Sequence, residues 1–178
     1  MMSAAVGALY LTDAIGQMAL NGVSMADQWD LIDGDYDTYG IYGLLAPTTS
    51  QPLPQFFSTL FWSRLGADLV PVARGFDADS TLSAYASKDP RGVVSLLIVN
   101  KSTDSQSAII HIDGASQTYS AARDVATAAS LDARRMSFNG DPEDLGVVGG
   151  ASFNRAFEPL SITLIRLQPT NGAQDAPS

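Results

Sequence analysis

At Pro71 the periodicity of the sequence changes, and that change constrains the fold more than any other feature. Upstream, apolar residues recur every three or four positions, the spacing of one helix face; downstream they fall in short blocks separated by turn residues, the pattern of strands. Two kinds of secondary structure are thus segregated along 178 residues, with a boundary expected near Val72.

Ala4, Ala8, Leu11, Ile15 and Met18 place one stripe on a helix that Asn21-Gly22 can close, since both residues tolerate the left-handed conformation. Val23 to Trp29 is a short, largely apolar run that suits a buried parallel strand. The stretch from Asp30 to Pro52 carries Gly, Asp, Thr and Pro at turn density and reads as a long loop, a class that is often functional. A second helix follows, with Leu53, Phe56, Phe57, Leu60, Phe61 and Leu65 on one stripe, Pro52 and Pro54 at its entrance and Gly66 at its exit. That spacing assigns Phe56, Phe57, Phe61 and Trp62 to core or interdomain contacts.

Strands are expected over Leu82 to Ser87, Val93 to Asn100, Ala108 to Asp113, Tyr119 to Val125 and Leu160 to Leu167. Val93 to Asn100 reads as central, with Ala108 to Asp113 as its hairpin neighbour across Lys101 to Ser105; strands at this spacing argue for an antiparallel sandwich. The helix, strand and helix before Val72 make one and a half α/β units, which cannot close a sheet alone. Either they pack on the sandwich as one α+β domain or they belong to something longer. Residues 170–178 read as a polar tail.

The formal charge of −9 and the scattered Lys and Arg argue against a nucleic-acid partner, which requires a clustered positive surface. There is no Cys, so disulfides and thiolate metal sites are excluded. The first residues lack a basic n-region and Asp13 interrupts their apolar stretch, so neither a signal peptide nor a membrane helix is read there. No Gly-rich phosphate loop occurs, and no cofactor is expected. Asp30, Asp33, Asp35 and Asp37, with Gly34 between, offer oxygen ligands at alternating positions, but the terminal Glu of a calcium loop is missing and Asp-rich loops without an ion are commoner. His111, the only histidine, falls mid-strand as a solvent-facing residue, and no G-x-S-x-G elbow accompanies it.

GALYLTDAIGQMALNGVSMADQWDL, then YGIYGLL, then QPLPQFFSTLFWSRLGADLVPV, then LSAYASKD and VSLLIVNKS occur in an order that resembles the C-terminal end of a clan A glycoside hydrolase. The pattern is most similar to family 44 endoglucanases and xyloglucanases, with the clan's arabinofuranosidase and xylosidase families next, and it spans roughly Ala4 to Leu167. The resemblance implies the last elements of a (β/α)8 barrel, a helix, the eighth strand and the eighth helix over residues 1–71, followed by a β-sandwich over residues 72–169. It also implies a retaining mechanism on β-glucan or xyloglucan with two glutamates at the ends of the fourth and seventh barrel strands, and a secreted parent enzyme. Both glutamate positions would precede Met1, and the only two Glu here, Glu143 and Glu158, read as surface turn residues.

At the end of the eighth strand an aromatic residue forms part of the sugar-binding floor in such enzymes, because the apolar face of a pyranose stacks on indole. Trp29 is the candidate, with Asp27 and Gln28 as hydroxyl partners; its bland alternative is packing under the second helix. Tyr36, Tyr39 and Tyr42 either line the cleft, Tyr39 foremost, or pack on the scaffold as loop aromatics often do. The chain is accordingly expected to be a glycosidase piece, inactive alone, that meets polysaccharide through the missing barrel portion and is prone to self-association through exposed barrel edges. The competing expectations are a non-catalytic module binding carbohydrate or protein, and a hydrolase using Asp27 with Asp13 or Asp37.

Overall fold

The computed structural model describes residues 3–32, 42–76, 81–149 and 152–170. Among these residues two helices, α1 (Ala5–Leu20) and α2 (Pro54–Leu65), precede nine strands: β1 (Leu69–Val70), β2 (Leu82–Lys88), β3 (Val94–Asn100), β4 (Gln106–Ile110), β5 (Thr118–Thr127), β6 (Ser137–Phe138), β7 (Glu143–Gly149), β8 (Phe153–Phe157) and β9 (Ser161–Pro169). The fold is α+β, with antiparallel pairing between all the named strands. Among the described residues no helix is long and apolar enough to cross a membrane.

Seven strands form one sheet in the order β1-β2-β3-β9-β5-β6, with β7 on the other half of the β5 edge; β4 and β8 form a second, two-stranded sheet. The pleat sends successive side chains to opposite faces, so the large sheet carries two cores. On one face Tyr85, Leu97, Val99, Ile162 and Leu164 pack against Ala8, Leu9, Phe57, Phe61 and Leu65 of the helices. On the other, Ala84, Leu96, Ile98, Ile165 and Leu167 pack against Ala108, Ile110, Phe153 and Phe157 of the small sheet. β3 is buried along its whole length, as its apolar run predicts for a central strand.

α2 follows its sequence closely. Pro54 opens it, and Gly66, with φ 105°, ends it. Its fully buried apolar residues, Leu53, Phe57, Phe61 and Leu65, lie four apart. α1 departs from expectation. Leu11, Ile15 and Met18 are only half-buried, whereas Ala5, Ala8, Leu9, Thr12 and Gly16 are buried. Small residues let α1 approach its neighbours closely: a Cβ at Gly16 would overlap the Tyr85 ring. Its first N–H groups have no side-chain cap and instead donate from Ala5 to the Ala133 carbonyl at 2.8 Å and from Val6 to the Leu131 carbonyl at 2.9 Å.

Two further expectations are corrected. Val23 to Trp29 joins no ladder among the described residues. The segment after β3 does not fold back as a hairpin either: β4 is shorter than expected and pairs with β8. The cause lies in Asn100, fully buried at the end of β3. Its Nδ2 donates to the carbonyls of Phe157 (3.1 Å), Glu158 (2.8 Å) and Asp104 (3.0 Å), and its Oδ1 accepts from Ser102 N–H at 3.0 Å. This joint turns the chain out of the large sheet into the small one.

Removing the joint deletes four hydrogen bonds at a buried position, each contributing about 0.5 to 1.5 kcal/mol, although Ser105 and Ser161 still reach the Phe157 and Glu158 carbonyls. Asn100→Ala is expected to lower the unfolding free energy by about 2 to 4 kcal/mol, read as a lower urea midpoint at unchanged slope.

Candidate functional site

The candidate sugar-facing residues sit where α1 gives way to the loop before α2. Gly22, with φ 79°, closes the helix, its N–H donating to the Ala19 carbonyl at 3.2 Å and that of Val23 to Met18 at 3.0 Å. From there the chain runs out with its side chains in solvent: Met25 is 78% exposed and Trp29 74%. Trp29 therefore does not pack beneath α2. Asp27 and Gln28 are exposed beside it, and the Trp29–Asp30 peptide is cis.

The neck of the loop is tightly held. Gln28 Nε2 donates to the carbonyls of Trp29 (2.8 Å) and Tyr42 (3.1 Å). The Leu44 N–H reaches the carbonyls of Asp30 and Leu31, and Leu53 N–H closes onto the Leu44 carbonyl. Buried Gln55 donates from α2 to the Gly43 carbonyl at 2.9 Å. Trp29 is thus attached to a fixed base, an arrangement suited to stacking. Tyr42 is half-exposed at the same neck. Tyr36, Tyr39, Asp33, Gly34, Asp35 and Asp37 lie outside the described residues, and among the described residues no cluster could hold a metal ion.

The two glutamates, fifteen positions apart, meet at one arginine. Arg123 of β5 donates from Nε to Glu143 Oε2 at 2.6 Å and from Nη2 to Glu158 Oε1 at 2.8 Å. Burial opposes the guanidinium charge, but the two carboxylates outweigh it and push its pKa up. A retaining pair leaves about 5 to 5.5 Å between its carboxyl groups for a sugar; here a guanidinium bridges them. Neither is the surface turn residue read from the sequence: Glu158 is half-buried in the connection between β8 and β9, and Glu143 opens β7. The trio ties β5, β7 and the turn before β9 together.

Asp13 is likewise engaged. Its carboxylate accepts from the Tyr85 hydroxyl and from Lys101 Nζ at 3.0 Å, and Lys101 also reaches Ser83 Oγ at 3.0 Å. Burial pushes the Asp13 pKa up, but bonds from Tyr85, Ser83 and Lys101 prevail and hold it below the usual value. The same contact, after burial itself, pushes the Tyr85 hydroxyl well above the ordinary tyrosine range. Asp13 therefore serves as a bolt between α1 and the sheet.

A feature that the sequence hides is a cleft of about 580 Å³ at the C-terminal end of α2. Arg64, Arg91 and Arg166 line it together with Asp68 and Asp89, and Arg64 and Arg91 are ion-paired to Asp124 and Asp89. The only sequence signal is a strand register that sets Ser87, Ser95 and Arg166 in one row across the sheet.

No protein-family model and no curated protein matches the sequence. Solved structures do. A bifunctional glucanase-xylanase from a metagenome library superposes with TM-score 0.66 at 19% identity, over 94% of this chain and 29% of that one. A Paenibacillus polymyxa xyloglucanase from glycoside hydrolase family 44 gives 0.63 at 19%, over 93% and 29%. An α-L-arabinofuranosidase from Thermotoga maritima gives 0.69 at 17%, over 89% and 37%. The chain shares its fold with part of these glycoside hydrolases and spans about a third of their length.

Because the folded pKa of Asp13 lies below its unfolded value of about 4, its stabilising contribution is complete above that value and is lost as pH falls through the folded pKa. Asp13→Asn is expected to be less stable than the parent at pH 7, with the gap closing toward pH 3 in urea unfolding curves.

Proposed function

We propose that this chain is the C-terminal portion of a retaining clan A glycoside hydrolase, of the family 44 type, acting on β-glucan or xyloglucan. In this reading residues 1–71 are the last barrel elements, residues 72–169 the β-sandwich that braces them, and residues 170–178 a tail. The helix-facing core of the large sheet is then the interface between the two parts. Both catalytic glutamates belong to the barrel portion outside these residues, so the chain alone does not hydrolyse glycosides.

The observation that carries this proposal is the run of apolar side chains left in solvent between α1 and the loop. Val23, Met25, Trp29, Leu31 and Ile32 are 46 to 78% exposed in one stretch of ten residues. A barrel strand has parallel neighbours on both sides and is buried on both faces. An accessory module adapted to stand alone covers such a run, since contiguous exposed apolar surface promotes association. Similarity in fold to enzymes that act on glucan, xylan, xyloglucan and arabinofuranosides supports the same reading. Trp29 is assigned to the sugar floor, with Asp27 and Gln28 as hydroxyl partners and Tyr39 lining the cleft, and polysaccharide reaches them through the complete barrel.

Two measurements test this. Purified chain and a version extended upstream in its reading frame are assayed on xyloglucan and carboxymethylcellulose; turnover is expected only from the longer protein, and clear turnover by the short chain refutes the proposal. In the longer protein Trp29→Ala is expected to raise KM for xyloglucan oligosaccharides by about tenfold, the loss of one stacked ring at about 1.4 kcal/mol.

A further inference from the structure

We propose that two copies of this chain associate through residues 23–29, which pair antiparallel with the same segment of the second copy about a two-fold axis at Ala26. The inference stands on the surface and backbone of the segment and not on the glycosidase reading. Three observations carry it.

The first is the surface presented. Every residue from 20 to 29 is exposed, so the chain here stands clear of the rest of the fold. Leu20, Val23, Met25, Trp29, Leu31 and Ile32 are 46 to 78% exposed. At roughly 150 to 250 Å² for each large apolar side chain, they present about 700 Å², more than the largest apolar patch of most monomers. A stable pair needs about 800 Å² from each partner, and the polar residues between these six supply the rest.

The second is the backbone. Among the described residues, no N–H or C=O from residue 24 to residue 28 bonds to another backbone group. An exposed row of this kind is a template for a further strand. Its two ends are engaged: Val23 N–H donates to the Met18 carbonyl at 3.0 Å, and the Trp29 carbonyl accepts from Gln28 Nε2 at 2.8 Å. In an antiparallel ladder the backbone groups of successive residues point to alternate sides. With those of Ser24, Ala26 and Gln28 turned toward the partner, those of Val23 and Trp29 turn away, and the two engaged groups do not obstruct the pairing.

The third is that the segment is complementary to itself, as a two-fold interface requires. Pairing about Ala26 sets Val23 opposite Trp29, Ser24 opposite Gln28 and Met25 opposite Asp27. Each copy thus contributes to a β-branched–aromatic pair, one of the favourable cross-strand contacts. The pleat gathers Val23, Met25 and Trp29 of both copies on one face, where Asp27 is the one charge from each, and leaves Ser24, Ala26 and Gln28 on the other. A register shifted by one residue mixes the two sets, so the pattern specifies a single alignment.

The test is sedimentation equilibrium of the 178-residue chain, for which a reversible monomer–dimer equilibrium is expected. Met25→Lys enters the interface twice and is expected to raise the dimer dissociation constant about a hundredfold, tenfold for each copy. Its urea midpoint, measured at concentrations where the parent is monomeric, is expected to equal that of the parent, because Met25 is 78% exposed. Alignment is read by a disulfide. The chain has no Cys, and hydrogen-bonded residues paired on the axis have Cα atoms about 5.5 Å apart, within disulfide reach. Ala26→Cys is expected to give a covalent dimer on air oxidation, whereas Val147→Cys, on the exposed strand β7, is not. The inference is overturned if the chain is monomeric at every soluble concentration, if it forms open-ended aggregates in place of dimers, if Met25→Lys dimerises as the parent does, or if Val147→Cys cross-links and Ala26→Cys does not. A monomeric mass leaves the glycosidase reading standing, since that reading is decided by turnover of the extended protein.

Discussion

The insertion of Tyr85 between α1 and the large sheet is the contact on which the remaining architecture depends. The ring fills the gap beneath Gly16 and lies 5.3 Å, centroid to centroid, from Trp62 of α2, so one side chain touches both helices. Its hydroxyl meets Asp13, and Asp13 meets Lys101 just beyond β3. Apolar burial supplies the bulk of the attraction across this interface, while the polar trio fixes orientation, because only one placement satisfies all three groups. With α1 and α2 set on the sheet, the two ends of α2 acquire fixed addresses. Its N-terminal end holds the neck of the loop that carries Trp29, and its C-terminal end leaves the polar rows of the sheet uncovered.

The scarce cations are placed to join elements distant in sequence. Lys101 answers Asp13, Arg64 answers buried Asp124, and Arg123 answers both glutamates. In a chain with nearly twice as many acids as bases, each such pair also removes a carboxylate from mutual repulsion. The arrangement explains how a strongly acidic chain tolerates carboxylates inside its helix–sheet interface. Carboxylates engaged by a cation hold elements together, whereas Asp27 is exposed at the loop and pairs with no cation among the described residues.

Legibility in the sequence followed how one-sided each element is. α2 was readable because Leu53, Phe57, Phe61 and Leu65 face a core while Ser63 and Arg64 do not. β3 was readable because both of its faces are covered. α1 was readable as a helix but not in its orientation: it is apolar nearly all round, and its contact face is set by small residues, Ala5, Ala8, Thr12 and Gly16, which carry little hydropathy signal. β7 and β8 were missed because they are mostly exposed and interrupted by Gly, Asp and Asn, so their pattern resembles turns. The strand read into Val23 to Trp29 reflects a real hydropathy signal, but a strand requires a neighbour, and no local sequence feature reports whether one is present. The polar cleft at the end of α2 was invisible for a related reason, since it is assembled by register between β2, β3 and β9.

The close approach of Gly16 to Tyr85 has a consequence for how this fold diverges. Sixty-nine positions separate the two residues, yet one supplies the space that the other occupies, so neither is free to vary alone. A side chain at position 16 is compatible only with a smaller residue at position 85, and a smaller residue at 85 removes the hydroxyl that Asp13 accepts and Gln17 donates to. Positions 13, 16, 17 and 85 thus form one packed and hydrogen-bonded unit in which a replacement at one constrains the others.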